Sequence, residues 1–153
     1  MENLELVFEN IKVDDVEKIL NEFKFKSENV ERSHFFIDNE DKEYKDISSF
    51  SEYFKSKGTC NLLVREIDLG TVINKSVIII SFDEIYGDIT FTFSESDWEK
   101  DSISDDEKTM ILFQKLSMMK NNINYSSILF GYDPVDDEDM QLFRIENSNE
   151  KLK

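Results

Sequence analysis

The chain has 153 residues, with 34 acidic against 18 basic side chains and a net charge of −16 at pH 7. This length is close to the commonest domain size, so we expect one domain spanning residues 1–153. The strong negative charge argues against binding to DNA or RNA, which requires a basic face, and against binding to anionic membranes.

Several features favour a cytoplasmic protein without structural disulfides. Cys60 is the single cysteine, so no intrachain disulfide can form. The first five residues include two glutamates and no basic residue, where a secretory signal would be basic. The longest apolar run, Val77 to Ile80, is much shorter than the roughly 20 residues of a membrane helix.

The first part of the chain alternates between strand and helix patterns. Leu4, Leu6 and Phe8 alternate as in a strand, and Asp14 with Glu17 predicts the start of a helix. The segments that follow are a strand (Val30 to Asp38), a charged loop (Asn39 to Lys45) and a helix that begins at Asp46 and ends at Gly58.

The second part predicts more strands and one long helix. The strands are Asn61 to Leu69, Ser76 to Phe82, Asp88 to Phe93, Ile128 to Tyr132 and Gln141 to Ile145, and a helix runs from the Ser104–Glu107 capping box to about Lys120. Val77 to Ile80 is apolar on both faces, which predicts a central strand of the sheet. The order predicts an α+β fold, with a largely antiparallel sheet of about five to seven strands and three helices packed on it.

The segment 133–139 is the most concentrated acidic feature. Five of its seven residues are acidic, but it lacks the central glycine and terminal glutamate of an EF-hand loop. It is a solvated turn, a weak cation site, or a contact surface for a basic partner. The candidate partner-binding residues here are Tyr132, Asp133, Asp136, Asp137, Glu138 and Asp139.

A second acidic stretch lies between Asp83 and Glu107, where ten acidic residues accompany one basic residue, Lys100. Trp98 lies within it, flanked by Asp97 and Glu99. Because tryptophan is enriched at protein interfaces, we add these three residues to the candidate partner-binding set. The alternative is that Trp98 folds back onto the edge of the sheet.

No pattern indicates catalysis. His34 is the single histidine and lies far from Cys60 in the sequence, whereas a zinc site or a catalytic pair needs several such groups together. None of the common nucleotide-binding, hydrolase or metalloprotease motifs is present. We therefore predict a protein that is not an enzyme and uses no cofactor or metal.

In its size, its acidity and its mixed order of helices and strands, the chain resembles the immunity proteins of bacterial polymorphic toxin systems. The segments Ser81 to Asp88 and Phe130 to Pro134 carry most of this general likeness. The resemblance implies tight binding and neutralisation of one cognate toxin, often a basic nuclease.

We therefore predict an acidic inhibitor that binds a protein partner, a basic toxin, and that is a monomer or weak homodimer. Two alternatives remain open. The first is a structural or regulatory domain whose acidity serves solubility. The second is a small metal-dependent enzyme that uses the carboxylates of residues 133–139.

Overall fold

The computed structural model describes residues 2–37, 40–47, 49–55, 57–83, 85–99 and 102–147. Its strands are β1 (Asn3–Lys12), β2 (Val30–Ile37), β3 (Glu40–Lys42), β4 (Gly58–Val64), β5 (Ile67–Asp68), β6 (Val72–Ile73), β7 (Ser76–Phe82), β8 (Tyr86–Ser94), β9 (Ser127–Tyr132) and β10 (Gln141–Glu146). Its α-helices are α1 (Val16–Glu22), α2 (Phe50–Tyr53), α3 (Glu95–Glu99) and α4 (Asp105–Met119).

Eight strands form one sheet in the order β10-β9-β1-β8-β7-β4-β2-β3, and every neighbouring pair is antiparallel. A separate hairpin pairs β5 with β6. The predicted α+β class and antiparallel sheet are confirmed. The predicted numbers were too low, because the described residues form eight strands in the main sheet and four α-helices.

One face of the sheet, the helix face, carries the core. Phe8 of β1 and Phe91 of β8 contact Phe23, which directly follows α1, with ring centroids 6.1 and 5.2 Å from that of Phe23. Phe54, at the end of α2, packs 5.2 Å from Phe82 of β7. Aromatic side chains from strands and helices therefore pack against one another on this face, where edge-to-face geometry stabilises them beyond the effect of burial.

The other face of the sheet, the open face, has no helix packed across its centre within the described residues. Burial alternates strictly along β7, and Val77 and Ile79 are each 38% exposed. The prediction that this strand is central was correct, because β7 is the fifth strand of eight. Only one face of this strand is buried, although both faces are apolar, because all the described helices pack on one side.

Several predicted boundaries also differ. Asp14 lies in a single 3-10 turn (Val13–Asp15), and α1 begins only at Val16. Asp46 ends another 3-10 turn, and Ser49 caps the very short α2 by accepting from the Glu52 amide. The helix stop expected at Gly58 was wrong, because this residue begins β4.

Three elements, β3, β6 and α3, had no counterpart in the sequence prediction, and one predicted strand is divided. The predicted loop between residues 39 and 45 contains β3, and the predicted strand 61–69 is split into β4 and β5. The acidic stretch around Trp98 contains α3. Asp38, the predicted end of the second strand, lies outside the described residues.

Candidate functional site

The acidic segment 133–139 joins β9 to β10 and folds over one end of the open face. Val135 is buried at its centre and packs with Val7 and Leu129. The Val135 amide donates to Glu5 Oε1 at 3.2 Å, and Gln141 Nε2 donates to the Val135 carbonyl at 3.0 Å. The segment, which we call the acidic turn, is thus fixed to the sheet by its apolar residue and its backbone.

The five acidic side chains of the turn point into solvent. Asp133, Asp136, Asp137, Glu138 and Asp139 are all exposed. Asp137 Oδ1 accepts from the Asp139 amide at 3.0 Å, which stabilises the local backbone. Within the part of the chain that the structure describes, none of the five forms an ion pair with lysine or arginine, and no group of three or more potential ligands is arranged to hold a metal ion.

Two glutamates on β1 extend this negative surface along the open face. Burial raises the pKa of Glu5, and repulsion from Asp133 and Asp136 raises it further, although the Val135 amide acts in the opposite direction. Burial also raises the pKa of Glu9, followed by repulsion from Asp88 and Asp136, whereas Arg144 lowers it. Carboxylates from β1, β8 and the acidic turn therefore repel one another on this face.

Tyr132 belongs to a second acidic group, on the helix side of the sheet. A hydrogen bond with Glu95, together with burial and the charges of Glu95, Asp105 and Glu99, raises the pKa of the Tyr132 phenol to about 12. Asp97 accepts from Ser94 Oγ at 3.0 Å. The structure thus brings Tyr132, Asp97 and Glu99 to one end of the molecule, around α3. Glu84, Lys100 and Asp101 of the predicted acidic stretch lie outside the described residues.

Trp98 itself lies in the core, 2% exposed. Its ring is 5.3 Å from that of Phe130 and 5.8 Å from that of Phe93. The Lys108 ammonium is 5.9 Å from the indole centroid and donates a hydrogen bond to the Trp98 carbonyl. The structure thus places the indole against the sheet, beneath Asp97 and Glu99. This agrees with the alternative interpretation, in which Trp98 folds back onto the sheet.

His34 and Cys60 lie on opposite faces of the sheet. In the pairing of β2 with β4, His34 stands opposite Asn61 and Phe35 stands opposite Cys60. The exposed His34 Nε2 is 2.8 Å from Asp41 Oδ1. The Cys60 thiol is buried on the helix face, and burial raises its pKa to about 12. Because neighbouring residues of a strand point to opposite faces, the two side chains do not form a pair.

A family model described as PABL017 Cdi1I immunity protein matches residues 2–148 of the chain. The chain belongs to this immunity protein family. No curated protein matches it.

The fold of this immunity protein is also similar to a solved structure. It matches a chain of the crystal structure of the toxic C-terminal tip of CdiA from Pseudomonas aeruginosa in complex with an immune protein, with a TM-score of 0.67. The identity is 14%, and the match covers 94% of each chain. At this identity the likeness concerns the fold. Within the described residues, no helix has the length and hydrophobicity that a membrane crossing demands.

Sequence reasoning missed part of the acidic surface of this immunity protein. Glu5 and Glu9 alternate with the core residues Leu4, Leu6 and Phe8 along β1, so their exposure on one face was visible in the pattern. Their proximity to Asp88 and the acidic turn was not visible, because it depends on pairing between strands that are distant in sequence.

Proposed function

We propose that this immunity protein neutralises the toxic C-terminal domain of a CdiA-type protein by binding to it. The family match over residues 2–148 carries the proposal. The similar fold found in a complex of a CdiA tip with an immune protein supports it. In this proposal the chain inhibits by contact, as one domain and as a monomer or weak homodimer, and it catalyses no reaction.

The partner in this proposal presents a basic surface. The exposed carboxylates of the acidic turn have no lysine or arginine partner among the described residues, and cations from another protein would relieve their mutual repulsion. Their field would also accelerate the encounter with a basic toxin. If the toxin is a nuclease, the same lysines and arginines would otherwise hold substrate phosphates, so their pairing with carboxylates blocks the substrate.

The proposed contact surface includes both acidic groups. The acidic turn contributes Asp133, Asp136, Asp137, Glu138 and Asp139, and the group around α3 contributes Asp97, Glu99 and Tyr132. Trp98 contributes from beneath, since its buried ring holds α3 against β9.

Co-expression tests this function directly. A candidate CdiA-type C-terminal toxin domain, taken from the genome that encodes this chain, is induced in bacteria with and without the chain, and growth is followed. We expect the chain to restore growth and the two purified proteins to form a complex in surface plasmon resonance. A CdiA C-terminal domain of unrelated sequence serves as the control and should remain toxic. Continued growth arrest despite folded, soluble chain would contradict the proposal.

A further inference from the structure

An apolar strip lies at the centre of the open face. Leu63 of β4 stands opposite Val77 of β7, and Ile79 follows on the same face, opposite Asn61. Val77 and Ile79 are each 38% exposed and Leu63 is half-buried. Aliphatic side chains of central strands are usually buried, so a contiguous exposed strip is typical of an interaction surface.

The strip borders the carboxylates of the open face. Across β8, Val77 stands opposite Thr92, and Thr92 in turn stands opposite Glu5. Asp88 stands opposite Ser81, two residues beyond Ile79 on β7. Adjacent strands are about 4.8 Å apart, so roughly 10 Å separates the strip on β7 from the glutamates on β1. One docked segment can cover both.

The carboxylates beside the apolar strip would be stabilised by a cation from a partner protein. Burial and neighbouring carboxylates raise the pKa of both Glu5 and Glu9. Arg144 is the described cation that acts on Glu9, and its Nε already donates to Glu146 Oε1 at 2.6 Å. A partner's lysine or arginine would find acceptors here that are partly desolvated, where a charge pair is stronger than in water.

We propose that the open face is the main docking surface of this immunity protein and that it takes a basic surface of the toxin domain. An apolar side chain of the toxin packs on Val77 and Ile79, and flanking lysines or arginines pair with Glu9 and Asp88. The inference rests on the proposed function and assigns the centre of the contact to the sheet, with the acidic turn and the α3 group at its periphery.

Two variants with matched controls test this assignment. Ile79→Lys places a like charge in the path of the basic partner and removes an apolar contact. Its control is Met118→Lys on α4, where the side chain is 78% exposed on the other side of the molecule. Glu9→Gln removes one carboxylate, and its control is Glu22→Gln, an exposed glutamate on α1. The probe is the CdiA-type toxin domain that the co-expression experiment identifies as neutralised by this chain.

We expect Ile79→Lys to raise the dissociation constant of the complex with the toxin domain by roughly tenfold or more, as for a hot-spot residue. Glu9→Gln should slow association several-fold while leaving the protein folded, as melting curves will show. Both controls should bind like the wild type. If Ile79→Lys fails to fold, Glu9→Gln still decides.

Each other outcome is informative. Unchanged affinity in both open-face variants would place the contact elsewhere and overturn this inference, while the proposed function would stand. Absence of binding by the wild-type protein would instead contradict the proposed function. A wild-type dimer in sedimentation that Ile79→Lys dissociates would show a second copy as the occupant, and would also overturn the inference.

Discussion

The indole ring of Trp98 packs 5.3 Å from the phenyl ring of Phe130, and this contact joins α3 to β9. Replacing Trp98 with alanine should therefore open a cavity between the two elements. We expect the free energy of unfolding to fall by about 3–5 kcal/mol, as for other buried aromatic residues. Urea unfolding followed by circular dichroism measures the loss.

The control for this change is Met118→Ala, because Met118 is 78% exposed on α4. Its unfolding free energy should remain within about 0.5 kcal/mol of the wild type. A Trp98→Ala protein as stable as this control would show that the indole does not belong to the core.

Charge removal in the acidic turn should change how fast a partner arrives. Exposed charges at the rim of an interface act mainly on association. In the variant with Asp136, Asp137 and Asp139 changed to asparagine, we expect association with the toxin domain to slow by roughly tenfold at low salt. Its salt dependence should weaken, and dissociation should change by less than about twofold. Surface plasmon resonance at several salt concentrations measures both rates.

The matched control changes the net charge equally on another surface. The control residues are Glu17, Glu22 and Glu28, which are all exposed on the helix side. Their replacement by glutamine also removes three negative charges. If both triple variants slow association to the same degree, the total charge and not the acidic turn steers the partner.

Glu9 should make the folded protein less stable as the pH rises. Burial first, then Asp88 and Asp136, raise its folded-state pKa above the ordinary value of 4.5. The folded state therefore favours the protonated carboxyl, and this stabilisation is complete below pH 4.5 and is lost as the pH rises through the raised pKa. Glu9→Gln should melt at a higher temperature than the wild type at pH 7, with the difference vanishing below pH 4.5.

Glu22→Gln, at an exposed position of α1, provides the comparison, and its melting temperature at pH 7 should remain close to that of the wild type. A Glu9→Gln protein that is less stable at pH 7 would show that the ionised carboxylate makes a favourable contact. Because the expected variant is more stable, any loss of toxin binding in Glu9→Gln cannot result from unfolding.

The Cys60 thiol should be unreactive in the folded protein. It is 1% exposed, and burial raises its pKa to about 12, so almost no thiolate exists at pH 8. We expect a disulfide reagent such as DTNB to label it only at the rate of unfolding, with fast labelling in urea. Immediate labelling without denaturant would mean that β4 opens locally near Cys60.

Local signals predicted some elements well and others poorly. Ser104 and Glu107 predicted the start of α4, and Ser104 Oγ does accept from the Glu107 amide at 3.2 Å. By contrast, β3 consists of three exposed charged residues, so no hydrophobic pattern marks it. It is a strand because β2 offers it hydrogen-bonding partners, which sequence periodicity does not record.

The same distinction applies to the candidate site. The acidic turn was visible because its charges are consecutive in sequence. Its position over the open face depends on Val135 packing with Val7 and Leu129, which are contributed by two different strands. The exposure of the apolar strip was not visible for a related reason, since the side chains of Val77 and Ile79 are apolar and their exposure depends on all the helices lying on one side of the sheet.

The first strand of the chain, β1, lies inside the sheet between β8 and β9, which are both synthesised much later. Leu6 stands opposite Phe91 on one side and Phe130 on the other, so β1 leaves the ribosome long before either of its neighbours exists. At about 5–20 residues per second, translation of the later strands takes several seconds more. The open face is assembled only when β9 arrives. If the chain neutralises a toxin as proposed, only completed molecules carry the whole binding face. A cell is then protected by the molecules that are already folded when the toxin enters.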